Sequence, residues 1–292
     1  MQAKKSIIIM TLLIAVLSVI SSSVGIFTSE IVNISEFTSV NQQVVELYAR
    51  GIYFRDSVSI ALQGIASDYV TLFLAIPWLL VSLVYYQKGS FIGKIMLTGL
   101  SGYFLYTYTS YTFLWMYNPL FLIYVALMSL SLFNTVILFS SFDLKYLLKN
   151  HFQQFPRKRV AYFEIVIGVM IAMLWLQMII TGLVNNAVPV EVEHYTTLVI
   201  QGMDLGLLLP LSIVSGILLL KKVEIGYLLS FVLLVKSVMM LLAINAMSIN
   251  QLINGLEVDL ATLVIFGLAT IFAVGLLIEV LLREKQVQLT NS

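Results

Sequence analysis

Lys236 is the residue whose position most restricts its chemistry. It interrupts the apolar run YLLSFVLLVKSVMMLLAINA. In a span read as 225–247 it is the twelfth residue, roughly 16 Å from either end at about 1.5 Å per residue. A lone cation at that depth costs at least ~2.5–3.5 kcal/mol, so it must face the bundle interior, water or an anion. Such a lysine can anchor an anionic group, carry a proton or close a structural ion pair. Asp204 is its natural partner. It sits about 9 Å inside the end of the preceding span, and a four-residue turn makes the two spans antiparallel neighbours. Gln201, Asp204, Leu208 and Ser215 share one helix face.

A second polar set lies earlier in the chain. The run YFLYTYTSYTF places Tyr103, Tyr106 and Ser110 on one face, with Tyr103 where Lys236 stands in the later half. Their hydroxyls can line a polar cavity or bond Asp68, which lies at the outer mouth. The ligand-binding candidates are therefore Lys236, Asp204, Gln201, Tyr103, Tyr106 and Asp68. Tyr108, Tyr111, Trp115 and Tyr117 read as an aromatic belt at the membrane interface. Glu164 and Glu279 read as interface pairs of Lys222 and Arg283.

Several chemistries are excluded. There is no cysteine, hence no disulfide and no thiolate ligand or nucleophile. The two histidines, His151 and His194, fall on opposite sides of the membrane. No metal-binding spacing and no nucleotide loop occurs, and no serine has a histidine base. No cofactor and no catalytic set is expected. A retinal-type Schiff base would put the lysine in the last helix, and Lys236 is in the penultimate one.

The elements that must position these residues follow from composition. Of 292 residues, 60% are hydrophobic and 11% charged, with a mean hydropathy of +0.99. A soluble domain has about 45–50% apolar and about 25% charged residues. A water-soluble globule, a disordered chain, a collagen and a nucleic-acid-binding protein are excluded. Runs of about 20 apolar residues mark membrane helices, and in lipid these must be helical. Eight are found, near 6–27, 66–87, 92–112, 118–140, 161–183, 198–220, 225–247 and 259–281, with Asn118-Pro119 opening the fourth. The expected fold is all-α: a polytopic membrane protein of eight transmembrane helices. With the N-terminus inside, 13 of the 16 Lys and Arg residues fall in inner segments. That bias predicts cytoplasmic N- and C-termini. The alternative for span 1 is a signal peptide cleaved near Ser21-Ser22-Ser23, which leaves seven spans.

Two segments outside the bilayer are long. Residues 28–65 are expected outside, with an amphipathic helix from Val40 to Arg50 capping the bundle. Residues 142–160 are inner and basic, and read as an interfacial helix stopped by Pro156 that grips anionic head groups. They separate halves 1–141 and 161–292. The halves share a pattern: Gln63-Gly64, Asp68 and Pro77 in one, Gln201-Gly202, Asp204 and Pro210 in the other. Each proline is followed 16 residues later by a glycine, Gly93 or Gly226. A parallel 4+4 repeat accounts for this if a gap is placed before the prolines. Such repeats occur in transporters, with the site at their interface.

The runs DSVSIALQGIASDYVTLFLAIPWLLVSLVYYQKGS, YNPLFLIYVALMSLSLF and MDLGLLLPLSIVSGILLLKKVEIGYLLSFVLLVKS resemble a family of prokaryotic multi-span membrane proteins with no known activity. The resemblance implies a bacterial or archaeal plasma membrane and carries no cofactor or site residue. Three functions stay open on the residues alone. One is binding or transport of a small anionic or amphiphilic molecule, or a proton, around Lys236 and Asp204. Another is an accessory subunit or sensor of a membrane complex. The third is an intramembrane lipid-modifying enzyme. The expected partners are the lipid bilayer, a small-molecule ligand and a membrane partner subunit, with no nucleic acid.

Overall fold

A computed structural model describes residues 2–146 and 151–291, with side chains through 287. Its long helices are α1 (Gln2–Phe27), α2 (Val58–Gln87), α3 (Phe91–Phe113), α4 (Phe121–Ser140), α5 (Arg157–Val184), α6 (Val199–Leu220), α7 (Glu224–Ile253) and α8 (Leu260–Asn291). Seven of these, all but α3, are long and apolar enough to cross a membrane, which makes the chain a multi-pass membrane protein. The 23 residues of α3 run about 34 Å. Its tyrosines, threonines and serines lower its hydropathy, and most of them are buried between neighbours.

Two four-helix groups share α7 as their contact. In the first, α1 packs on α2 and α4, and α3 lies between α2 and α4. In the second, α5 packs on α6 and α8, and α7 on α6 and α8. Helix α7 lies along both α2 and α3, whereas α3 meets α6 only over a short stretch. Burial of apolar surface does not drive association in lipid, so close packing and buried hydrogen bonds matter more. The Asn134 amide donates to Thr11 (3.1 Å) and Ser101 (2.9 Å), tying α4 to α1 and α3. Asn245 donates to Thr270 (2.8 Å), tying α7 to α8. Gly99 lets α3 approach α7: a Cβ there would meet Val235 at 2.5 Å.

The proline-bearing helices depart from α geometry in the same way. Proline has no N–H, and its ring crowds the carbonyl four residues back. Helix α2 relieves this with a wide π turn over Thr71–Ala75, and α6 with one over Asp204–Leu208. The closing bonds run from Ile76 N–H to the Thr71 carbonyl and from Leu209 N–H to the Asp204 carbonyl. Thr71 and Asp204 are separated by 133 residues, as are Pro77 and Pro210, Gly93 and Gly226, and Tyr103 and Lys236. The turns leaving both helices pass through the left-handed region, at Gly89 (φ 81°) and Lys222 (φ 62°).

Four expectations are corrected. Residues Val40 to Arg50 form no helix; a small antiparallel sheet stands there instead, β1 (Glu36–Thr38) against β2 (Val44–Glu46). The segment is rich in β-branched residues, and its burial alternates along the strand, with Val45 buried between exposed Val44 and Glu46. Tyr108 and Tyr111 are not an interface belt: at 1% and 2% exposure they are core, packed with Tyr124. Tyr117 is exposed. Glu164 does not pair with Lys222. It is buried and accepts from Ser230 (2.8 Å), while Glu279 pairs with Arg159 and Arg283. The helix expected within 142–160 falls in part outside the described residues. The Pro156 expectation is reversed: the proline precedes α5 as its N-cap residue.

Candidate binding site

A cavity of about 270 Å³ opens where α3 and α6 stand apart, with α5 and α7 completing its walls. Lys236 comes from α7, Tyr106 from α3, Asp204 from α6 and Trp175 from α5. The π turn starting at Asp204 puts that carboxylate on the bundle side of α6, at 7% exposure. Such wide turns recur at functional sites because they re-aim side chains within a helix.

The Asp204 carboxylate is held by two donors. The Tyr106 hydroxyl donates to Oδ1 (2.7 Å) and the Trp175 indole N–H to Oδ2 (2.9 Å). The Lys236 ammonium stands 4.2 Å from the centroid of the Tyr106 ring. Tyr106 is therefore the link between the two charges: its hydroxyl serves the anion and its π face the cation. Lys236 makes no ion pair and no hydrogen bond among the described residues, so the expected direct contact with Asp204 is not formed. Its three donors are left to whatever enters the cavity.

The remaining walls are aromatic and apolar, with a few hydroxyls. Trp115 stacks on Tyr111 at 4.2 Å, and both line the cavity. The Trp115 N–H is buried without a partner among the described residues. Ser110 and Ser237 add short polar side chains. Toward the end bearing the sheet, Gln63 and Gln251 line the cavity and both donate to Ser59 (3.2 and 2.8 Å).

Of the sequence candidates, Lys236, Asp204 and Tyr106 come together, and the others do not. Gln201 is half-buried and does not line the cavity. Tyr103 is fully buried and bonds Thr71 (3.1 Å), in the first group's counterpart of the Lys236–Asp204 position. Asp68 is the hub of a separate cluster. It accepts from Tyr53 (2.5 Å) and Tyr111 (3.2 Å), packed against Gly25 of α1. Tyr111, which lines the cavity, joins that cluster to the cavity wall. At the constant spacing, Asp68 corresponds to Gln201 and Thr71 to Asp204. Asp68 and Asp204 do not stand at that spacing. Sequence reasoning missed Trp175. Its one signal is a tryptophan well inside α5, away from the interfaces that tryptophan favours.

The sheet-bearing end is clasped across the two groups. Asp56 Oδ1 accepts from Met116 N–H (2.9 Å) and from the Tyr195 hydroxyl (3.1 Å). His194 Nε2 bonds the Arg55 carbonyl (3.0 Å), and Gln43 donates to the Val190 carbonyl (2.9 Å). Burial raises the Asp56 carboxyl to about 7, with the Glu193 charge adding to the rise. Burial also raises Glu193 and lowers His194. No protein family, no curated protein and no solved structure matches this chain.

Proposed function

We propose that this chain binds or transports a small anionic amphiphile in the cavity, with the acid group on Lys236 and the apolar part against Tyr106, Tyr111, Trp115 and Trp175. One observation carries the reading: a lysine deep in the bundle faces a cavity with its ammonium unbonded among the described residues. A buried cation is costly, and its anion is the expected relief. Pockets for small ligands are mostly apolar with a few placed polar groups. Asp204, with each oxygen already accepting a bond, acts as a positioning group that fixes Tyr106 beneath the lysine.

The reading includes the setting. The chain has eight spans in a prokaryotic plasma membrane, with both termini cytoplasmic and a 4+4 parallel repeat. The length of α3 and its short turn from α2 support the eighth span. The lysines and arginines at one end of the bundle support the orientation. The matched π turns, prolines and glycines support the repeat. Native mass spectrometry of gently extracted wild type and Lys236→Met tests the function. A small acidic molecule is expected on the wild type and not on the variant. Equal occupancy of both contradicts the reading.

A further inference from the structure

Below the cavity lies a buried carboxyl that the binding reading does not use. On α5, Glu164 is one turn beyond Gly168. On α6, Ser215 is one turn beyond Ser212, and on α7, Ser230 one turn beyond Leu233. Gly168, Ser212 and Leu233 line the cavity, so Glu164, Ser215 and Ser230 form the layer under its floor. There Ser215 and Ser230 meet at 2.7 Å, and Ser230 donates to Glu164 Oε2 (2.8 Å). Glu164 is 2% exposed, and its other oxygen, Oε1, has no partner among the described residues. A carboxylate with one bare buried oxygen is expensive; a proton on that oxygen removes the charge.

The ionisable groups facing this layer are few. Toward the cavity they are Lys236 and Asp204. Toward the other end, α5 and α8 carry Arg159, Glu279 and Arg283, which pair with one another. They also carry Arg157, whose Nη1 is buried without a partner among the described residues, and Glu284, which pairs with His151. The ends of α6 and α7 there carry Lys221, Lys222, Glu224 and Tyr227. Lys236 is six residues above Ser230 on α7, about 9 Å along the axis. At that separation the ammonium, offset in part by Asp204, stabilises the ionised form of Glu164.

We infer that Glu164 is a proton-binding site coupled to Lys236, so that an anion entering the cavity brings a proton with it. In the empty cavity the lysine charge works against that proton and favours the ionised carboxylate; a bound anion cancels the lysine charge, and the ionised fraction of Glu164 takes up a proton. The net charge of the bundle then does not change on loading. The inference rests on the binding reading for its ligand, and its electrostatic half stands without one.

Infrared pH titration of the reconstituted full chain tests it. A protonated-carboxyl band is expected that titrates in the wild type and is missing in Glu164→Gln. Ser230→Ala, which keeps the carboxyl and removes its hydrogen bond, is expected to move the same band in frequency. With no ligand present, Lys236→Met should raise the midpoint by about one pH unit, and Asp204→Asn should lower it by less. Octanoate should raise the wild-type midpoint and leave that of Lys236→Met in place. A band untouched by Glu164→Gln and Ser230→Ala, or a midpoint the same in wild type and Lys236→Met, overturns the inference. Loss of octanoate binding alone overturns the ligand reading, while the wild-type and Lys236→Met midpoints still decide the coupling.

Discussion

In the α2–α3 hairpin the hydroxyls of Thr71 and Tyr103 meet at 3.1 Å, both fully buried. In the α6–α7 hairpin the same two positions hold Asp204 and Lys236, and these do not meet. The backbones agree closely. Each hairpin has a π turn, a proline behind it and a tight left-handed turn. A glycine then opens the second helix, where a Cβ would lie 2.5 Å from the first. The surroundings differ. Helix α2 packs along α7, whereas α6 stands off α3, and the cavity fills that gap. One hairpin thus carries a closed neutral pair, and the other carries two charges against an opening. The first arrangement needs nothing further. The second leaves a cation over a ring face, with no hydrogen bond or ion pair among the described residues.

The glycines give the largest expected effect. Gly93→Ala and Gly226→Ala each drive a methyl group into the backbone of the preceding helix. Each should cost about 1–3 kcal/mol, and the two should cost the same, read as denaturation midpoints in detergent. Tolerance of one and not the other breaks the comparison. Asp204→Leu comes next. It strips the acceptor from the Tyr106 hydroxyl and the Trp175 N–H, and should cost about 1–3 kcal/mol for the orphaned donors. Lys236→Met, which removes a buried cation that makes no hydrogen bond or ion pair among the described residues, should leave the midpoint unchanged or raised, because Asp204 keeps both its donors. A large loss in Lys236→Met would make the lysine a structural clamp.

Thr71→Val should cost about 1 kcal/mol, since it leaves the Tyr103 hydroxyl without its partner. Adding Tyr103→Phe should recover most of that. The smallest effect is local and set by pH. The Asp56 carboxyl is raised to about 7, so its proton stabilises the clasp. That stability is full below the ordinary carboxylate range and is lost as pH rises through about 7. Hydrogen exchange across residues 28–57 and 190–198, corrected for its intrinsic pH dependence, should show less protection above that pH. Asp56→Asn should flatten the change.

Much of the second hairpin is legible in the sequence. A lysine in an apolar run announces its own depth, and proline and glycine spacings carry the register. Tyr106 is found because it shares a helix with the residue opposite Lys236. The failures have a common cause. In lipid both the outward and the inward faces of a helix are apolar, so hydropathy does not say which face meets which neighbour. Tyr108 and Tyr111 therefore pass for an interface belt although they are core. Trp175 and Glu164 are placed by how α5 rotates against α6 and α7, which no local pattern encodes. Asp68 and Asp204 look like counterparts because both are acids near a proline. The π turns begin at Thr71 and at Asp204, so it is Thr71, not Asp68, that stands at the start of the matching turn.

The central claim is that Lys236 anchors an acid in the cavity. Octanoate titrated into the nanodisc-embedded chain, followed by the fluorescence of Trp115 and Trp175, tests it most directly. The account predicts a saturable change in the wild type, at least roughly tenfold weaker binding in Lys236→Met, which is 1.4 kcal/mol or more, and recovery in Lys236→Arg. Equal affinities for wild type and Lys236→Met would contradict it.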